Sequence, residues 1–188
     1  VLNWQSADER IIARENRTVR LLHPGNAEKP RLLEWRTHLV PTGEDGTATL
    51  RGHHYYGLGL RFVRDMDDNV EFFNASGEPG EIFRGAERLV EADWCASTGK
   101  IDGEPVTIAM FGHPNNPRPP TTWFTMPKPF AYLSATLNLH NEELQITREE
   151  PLDARYGIAL WDERTGKEQI RKTYRKWLKN GEPNGDKK

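Results

Sequence analysis

The segment Pro105-Val106-Thr107-Ile108-Ala109-Met110-Phe111 is an apolar run that ends at a loop with four prolines, Gly112-His113-Pro114-Asn115-Asn116-Pro117-Arg118-Pro119-Pro120. A second run of β-forming residues, Thr121-Thr122-Trp123-Phe124-Thr125, follows directly. β-Branched and aromatic residues favour strands, and proline is expelled from helix interiors and central strands. The segment therefore predicts two strands joined by a stiff loop.

Similar runs recur along the whole chain, at residues 10–13, 18–22, 31–41, 47–51, 55–64, 70–74, 88–96, 131–139, 143–149 and 156–161. Turn signals such as Gly43-Glu44-Asp45-Gly46 and Asp102-Gly103 separate them. Short strands at this spacing favour a sandwich or barrel over alternating strand–helix units. We predict an all-β fold, an antiparallel β-sandwich.

One helix is predicted near the C-terminus, over residues 165–179. Thr165 and Glu168 have the spacing of a capping box. Ile170, Tyr174 and Trp177 then fall on one helical face, which predicts packing on the sandwich. A single domain over residues 1–178 would include this helix. The polar residues 180–188 are predicted to form a flexible tail.

Composition excludes several classes of protein. A chain of 188 residues with a net charge of −2 and a pI near 6.3 suits one domain and lacks the basic surface of a nucleic-acid-binding protein. No run approaches the roughly 20 apolar residues of a membrane helix, so no membrane contact is predicted. The single cysteine, Cys95, allows no intrachain disulfide and is predicted to be a packed, inert thiol. No metal and no cofactor are predicted, because no HExxH or CxxC spacing occurs.

The proline-rich loop carries the densest set of candidate functional side chains. A stiffened backbone could hold His113, Asn116, Arg118 and Trp123 in fixed positions. A base, an amide, a cation and an indole together suit a sugar, whose hydroxyls need paired donors and acceptors. The alternative is a rigid structural loop in which His113 caps a backbone carbonyl.

A second candidate set lies in the segment around Arg51-Gly52-His53-His54 and in the turn before Glu87. The adjacent histidines point to opposite faces of an extended strand, which disfavours a shared metal site. We assign catalytic roles to His113 as acid or base and to Arg118 or Arg61 as stabilisers of negative charge. Predicted substrate contacts are Asn116, Trp123, His54 and Glu87.

Three motifs follow one another along the chain: Tyr56-Gly57-Leu58-Gly59-Leu60-Arg61, the run from His113 to Trp123, and Arg155-Tyr156-Gly157-Ile158-Ala159-Leu160-Trp161. Together they resemble the DUF6807 family. The resemblance covers most of residues 3–177, and the run from His113 to Trp123 is its most specific element. In bacterial genomes such proteins are often labelled "PmoA family" or "methane oxygenase PmoA".

The resemblance implies a galactose-mutarotase-like β-sandwich in a carbohydrate-related setting, with export to the periplasm or medium in many members. The compartment stays open, with the cytoplasm as the alternative. The oxygenase label would imply a membrane copper enzyme, which the absence of a membrane segment disfavours. Family members usually carry about another hundred N-terminal residues, so we expect this chain to be a fragment or a shortened member.

Three functions remain open from the sequence. The first is an enzyme that acts on a sugar, glycoside or keto-sugar by acid/base chemistry, of the lyase, hydrolase or epimerase type. The second is a non-catalytic carbohydrate-binding sandwich. The third is a structural or partner-binding domain completed by another subunit, including a second copy of this chain. For the first two, the expected partner is a small molecule or an oligosaccharide.

Overall fold

Antiparallel strands account for most of the computed structural model, which describes residues 1–26, 29–67 and 69–180. The strands are β1 (Leu2–Gln5), β2 (Ile11–Asn26), β3 (Lys29–Pro41), β4 (Thr47–Leu50), β5 (Gly57–Arg61), β6 (Glu71–Asn74), β7 (Glu81–Arg84), β8 (Glu87–Glu91), β9 (Trp94–Ile101), β10 (Glu104–Gly112), β11 (Thr122–Met126), β12 (Tyr132–Thr136), β13 (Leu144–Thr147) and β14 (Leu152–Trp161). A 3₁₀ turn spans Arg64–Met66, and helix α1 spans Lys167–Asn180. Beyond residue 180, the predicted flexible tail lies outside the described residues.

The strands form two large sheets and one small one. The larger sheet has the order β1-β2-β3-β14-β10-β9-β6, and the second has the order β5-β12-β11-β8-β7. A two-stranded sheet pairs β13 with β4. Adjacent strands run antiparallel throughout, as in the β10–β14 and β11–β12 pairs. The predicted all-β antiparallel sandwich is confirmed.

The main hydrophobic core lies between the two large sheets. Trp123 and Leu133 from the five-stranded sheet pack in one cluster with Met110 and Tyr156 from the seven-stranded sheet. Cys95 belongs to the same cluster, and burial raises the pKa of its thiol to about 12. The cysteine is therefore buried and unreactive, as predicted.

Helix α1 covers the outer face of the seven-stranded sheet. Its residues Ile170, Tyr174 and Trp177 pack with Phe111 and Trp94 of that sheet, which confirms the predicted packing face. No helix in the described part of the chain has the length and hydropathy that a bilayer crossing requires.

The predicted capping box does not form at the start of α1. The Thr165 side-chain hydroxyl is buried and has no hydrogen-bond partner in the described part of the chain. The Thr165 backbone N–H donates to Thr107 Oγ1 at 2.9 Å, and the helix begins two residues later. Thr165 is thus held by the sheet, and this tertiary contact replaces the local capping pattern.

Strand boundaries differ from the predicted ones where register depends on distant partners. The predicted runs 10–13 and 18–22 fall in one long strand, β2, which begins at Ile11. Residues 88–96 divide between β8 and β9, which lie in different sheets. The sequence did not indicate β1 and β7, because each is a four-residue edge strand too short to show a periodic pattern.

Candidate functional site

The outer face of the five-stranded sheet carries the side chains that build the principal cavity. Side chains alternate along β11, so Trp123 faces the core while Phe124 and Met126 face outward. Tyr132 on β12 lies opposite Met126, and Arg61 on β5 lies opposite Tyr132. Glu87, at the start of β8, is on the same face.

A cavity of about 440 Å³ lies on this face, within the range typical of small-molecule sites. Its walls come from the segment before β5, the β7–β8 turn, and strands β11 and β12. The lining residues are His54, Tyr55, Arg84, Glu87, Phe124, Met126, Pro129, Phe130 and Tyr132. Most of them are aromatic or apolar, so the few polar groups would set the orientation of a ligand.

The segment that precedes β5 crosses the sheet and brings His54 to the cavity. The hydroxyl of Ser134, on β12, donates to the Tyr55 carbonyl at 2.8 Å and fixes this crossing. The ring of His54 then stacks on Phe83 of β7, with centroids 3.7 Å apart, and lies 5.0 Å from the Phe124 ring. His54 precedes Glu87 by 33 positions in the sequence, and the crossing segment brings it over the outer face to the edge of the sheet where Glu87 lies.

His54 and Glu87 form a buried acid–base pair in the cavity. His54 Nε2 lies 3.7 Å from Glu87 Oε2, too far for a direct hydrogen bond. Both residues are more than nine-tenths buried, and neither of these two atoms has a hydrogen-bond partner among the described residues. Unpaired buried polar atoms cost roughly 1–3 kcal/mol each. A ligand hydroxyl or carbonyl oxygen between them would satisfy both.

Arg84 holds the other oxygen of the carboxylate. Its Nη2 donates to Glu87 Oε1 at 2.7 Å across the β7–β8 turn. Burial lowers the pKa of His54 below its usual 6.5, and the opposing attraction of Glu87 does not restore it. His54 is therefore neutral at pH 7 and can either donate or accept at Nε2. The site thus pairs a carboxylate with a neutral imidazole.

Three histidines whose pKa values are lowered in the folded protein predict that the protein loses stability as the pH falls below about 6.5. Burial is the main cause that lowers the pKa of His54, His113 and His140 in the folded state. The unfolded chain then binds protons before the folded protein does, so the stabilisation present above the unfolded pKa is lost as the pH falls through the folded values. We expect a lower urea midpoint at about pH 5.5 than at about pH 7.5, measured by equilibrium unfolding.

A variant with glutamine at these three histidines is the control for the pH dependence. The pKa values of Glu15 and Glu34 are also lowered, but from a usual value of 4.5. These two carboxyls therefore do not change the stability between the two pH values compared. The variant should therefore show a flatter midpoint between the two pH values. An equally steep dependence in the variant would assign the effect to other groups.

Trp123 is not the exposed stacking platform that the sequence predicted. Its side chain is fully buried between the sheets, and its Nε1 donates to the Ala92 carbonyl at 2.8 Å. The error is one of strand phase, because Thr122-Trp123-Phe124-Thr125 does not show which of the two aromatic residues faces inward. Phe124 takes the outward position, so Trp123 cannot contact a substrate.

Arg118 and Asn116 hold loops through hydrogen bonds to the backbone, and their predicted catalytic and binding roles stay predictions. Arg118 donates to the carbonyls of Leu137, Glu142 and Glu143 at 2.7–2.9 Å. The Asn116 side-chain amide pairs with the Arg155 backbone, donating to its carbonyl at 2.9 Å and accepting from its N–H at 2.7 Å. The contacts of these two residues agree with the alternative interpretation of the proline-rich segment as a rigid structural loop.

The remaining predicted site residues fall in two separate places. His113 lies on the outer face of the seven-stranded sheet, with its ring 5.9 Å from that of Trp177. It therefore does not share a site with His54 and Glu87, which the structure brings together. The Arg61 guanidinium stacks 3.6 Å from the centre of the Phe130 ring, which lines the principal cavity. Its role in stabilising charge stays a prediction.

Sequence reasoning did not single out Arg84, Phe83, Phe124 and Tyr132. The usable signal was the spacing of Arg84 and Glu87 across Gly85-Ala86, which places the two charges together on a tight turn. The aromatic residues gave no signal, since their common face depends on strand order. Within the described residues, no group of three or more His, Cys, Asp or Glu side chains could hold a metal ion.

Comparison with known proteins gives a family match. A family model described as a family of unknown function, DUF6807, matches residues 1–175. No curated protein and no solved structure matches the chain.

Proposed function

The chain belongs to the DUF6807 family, and from its cavity we propose that it is a carbohydrate-active enzyme. A sugar or keto-sugar binds between Glu87 and His54, which remove protons from it and return protons to it. The observation that carries this proposal is the buried pair, with Nε2 and Oε2 at 3.7 Å and both without a partner among the described residues. Groups placed in this way suit acid/base catalysis, in which one group removes a proton while the other supplies one.

The chemistry needs no further reactant. The Glu87 carboxylate takes a proton from the carbon next to a carbonyl, and the electron pair of that C–H bond forms a C=C bond. In the tautomer with its proton on Nε2, His54 gives that proton to the carbonyl oxygen, which yields an enediol. Glu87 then returns its proton to the former carbonyl carbon, while the hydroxyl on the first carbon gives its proton to His54 Nε2 and becomes the new carbonyl, which restores both groups and yields an isomer. Protonation of the first carbon on its opposite face, with the enediol proton passing back from the original oxygen to His54, gives an epimer.

The aromatic lining supports a ring-shaped polyol as the ligand. Tyr55, Phe124, Phe130 and Tyr132 surround the cavity, and aromatic faces pack against the C–H face of a sugar. His54, Glu87 and Arg84 supply the few polar groups. A volume of about 440 Å³ suits a small molecule or a short oligosaccharide.

The lining favours isomerisation or epimerisation over glycoside hydrolysis. Glycosidases generally use two carboxylates about 5–9.5 Å apart. Among the described residues that line this cavity, Glu87 is the only carboxylate. The same proposal includes the galactose-mutarotase-like architecture, the bacterial setting and the export that the family resemblance implies. The two packed antiparallel sheets are compatible with that architecture.

Thermal unfolding with a panel of sugars, glycosides and keto-sugars tests the binding step. A ligand at about 100 times its Kd adds about 2.7 kcal/mol of stability. We expect a keto-sugar or reducing sugar to stabilise the wild type and His53→Gln but not His54→Gln. His53 is the matched control because it is the exposed neighbour of His54.

Solvent deuterium exchange into the bound sugar, followed by proton NMR, tests the chemical step. We expect the wild type to exchange one C–H position next to the carbonyl. Stabilisation without exchange would contradict the enzyme and indicate a carbohydrate-binding protein. If no compound stabilises a well-folded chain, the proposal of a carbohydrate site is wrong.

A further inference from the structure

A second cavity, of about 390 Å³, lies on the outer face of the seven-stranded sheet near Trp177 of α1. Arg36 from β3, Arg155 from β14, and His113 with Asn115 from the proline-rich loop line it. His38 and Asp153 also line it and pair with each other, with His38 Nδ1 2.7 Å from Asp153 Oδ1. The proposed reaction uses none of these residues.

Two arginines of this second cavity share a single buried carboxylate. Glu34 is 2% exposed and accepts hydrogen bonds from Arg36 Nε at 2.7 Å and from Arg155 Nε at 2.6 Å. Burial alone would raise the pKa of Glu34, but these hydrogen bonds lower it, so the carboxylate is ionised. Glu34 balances only one of the two guanidinium groups, and the other carboxylate that lines the cavity, Asp153, is paired with His38.

Both arginines have N–H donors that make no hydrogen bond within the described residues. A guanidinium has five N–H donors. Within the described residues, Arg36 uses only its Nε in a hydrogen bond, and Arg155 adds one long contact of 3.4 Å from Nη2 to the Trp177 carbonyl. The Arg36 side chain is 41% exposed, so its remaining donors are accessible from the cavity.

The field inside the cavity is positive next to His113. Burial lowers the pKa of this histidine, and Arg155 and Arg36 lower it further, while Glu34 opposes them more weakly. The Asn115 backbone N–H donates to His113 Nδ1 at 3.2 Å, so the neutral ring carries its proton on Nε2. His113 therefore adds a neutral donor and no negative charge.

We propose that this second cavity binds the oxyanion group of a small molecule, a carboxylate or a phosphate, through Arg36 and Arg155. The planar fork of a guanidinium matches both groups with two parallel hydrogen bonds. The two sources of such a group are an acidic sugar and inorganic phosphate. This site is independent of the cavity that contains His54 and Glu87.

Calorimetric titration with glucuronate, with inorganic phosphate and with neutral glucose tests the site. The variants are Arg36→Gln, which removes a donor, and Asn115→Asp, which adds a negative charge on an exposed loop residue outside the Glu34 hydrogen bonds. Arg31→Gln is the matched control, because Arg31 lies on the same strand and pairs with the exposed Asp162. Glu87→Gln monitors the first cavity.

We expect glucuronate, phosphate or both to bind the wild type, Arg31→Gln and Glu87→Gln alike, and at least about tenfold more weakly to Arg36→Gln and Asn115→Asp. Which anion binds identifies the source, and any glucose binding should be unaffected by the two variants. The proposal is overturned if neither anion binds at low salt, or if both variants bind like Arg31→Gln. Loss of anion binding in Glu87→Gln alone would place the anion in the first cavity and also overturn it.

Discussion

Replacing Glu87 with glutamine is expected to slow deuterium exchange into a bound sugar at least about 100-fold while the protein stays folded, which is the usual size of a general-base contribution. Glutamine has nearly the same shape as glutamate, and its amide oxygen can still accept the hydrogen bond from Arg84. Its amide cannot take a proton from carbon. The variant therefore removes the base and keeps the cavity.

Stability and ligand binding should change far less than the rate in Glu87→Gln. The Arg84 side chain is 76% exposed, so water solvates its charge when the carboxylate is lost. Uncharged hydrogen bonds to the sugar hydroxyls remain available from the amide. We expect a loss in kcat for exchange with a small change in Kd, which marks a group that acts in the transition state.

Glu91→Gln is the matched control for this experiment. Glu91 lies four residues further along β8, on the same face of the sheet, and it is exposed outside the cavity. Its replacement should leave exchange and binding unchanged. Full exchange activity in Glu87→Gln would rule out Glu87 as the base. A parallel loss of activity in Glu91→Gln would point to net charge rather than to the pair.

Replacing Trp177 with alanine is expected to lower the free energy of unfolding by about 3–5 kcal/mol, the usual effect of truncating a buried tryptophan. Trp177 is fully buried, and its ring lies 5.8 Å from that of Phe111. A Cβ at Gly157 would lie 3.0 Å from the Trp177 ring, which shows how closely the helix approaches the sheet. The surrounding groups cannot close a cavity of this size.

The same replacement removes a polar contact. Trp177 Nε1 donates to Glu34 Oε2 at 3.2 Å, in addition to the two arginines. Since the arginines remain, most of the expected loss comes from packing. Trp177→Phe should therefore have an intermediate effect, because it keeps much of the ring and loses the N–H group.

Equilibrium unfolding in urea measures the effect of the Trp177 variants. Lys176→Ala is the control, because Lys176 is the exposed neighbour on the same turn and should change stability by no more than about 0.5 kcal/mol. A single domain has about 5–15 kcal/mol of stability in total, so Trp177→Ala should shift the midpoint strongly. A loss below about 1 kcal/mol would mean that α1 does not pack as described.

Local chemistry made much of the fold predictable. The apolar run before the proline-rich loop forms β10, and turn residues such as Asp102 and Gly103 join it to β9. The helical face of Ile170, Tyr174 and Trp177 packs on the sheet as expected. In each case the signal lies within a few residues, where period and turn chemistry act directly.

The candidate site was predictable only in part. His54 and Glu87 were named separately from the sequence, and neither was placed with the other. The most specific sequence element, the loop from His113 to Trp123, contributes a buried tryptophan and side chains that hold backbone carbonyls. Polar side chains that suggest a binding site in the sequence can all be engaged in hydrogen bonds within the fold, because a stiff loop needs many hydrogen-bond partners.

The sequence by itself determined the antiparallel β character, the amphipathic C-terminal helix and the buried, unreactive cysteine. Only the tertiary structure decided that the order β5-β12-β11-β8-β7 and the crossing segment before β5 bring His54 onto Glu87. Strand phase and strand order depend on partners far away in the chain, and a one-residue change of phase moves a side chain to the opposite face of a sheet. Periodicity is local, whereas the cavity arises from contacts between distant strands.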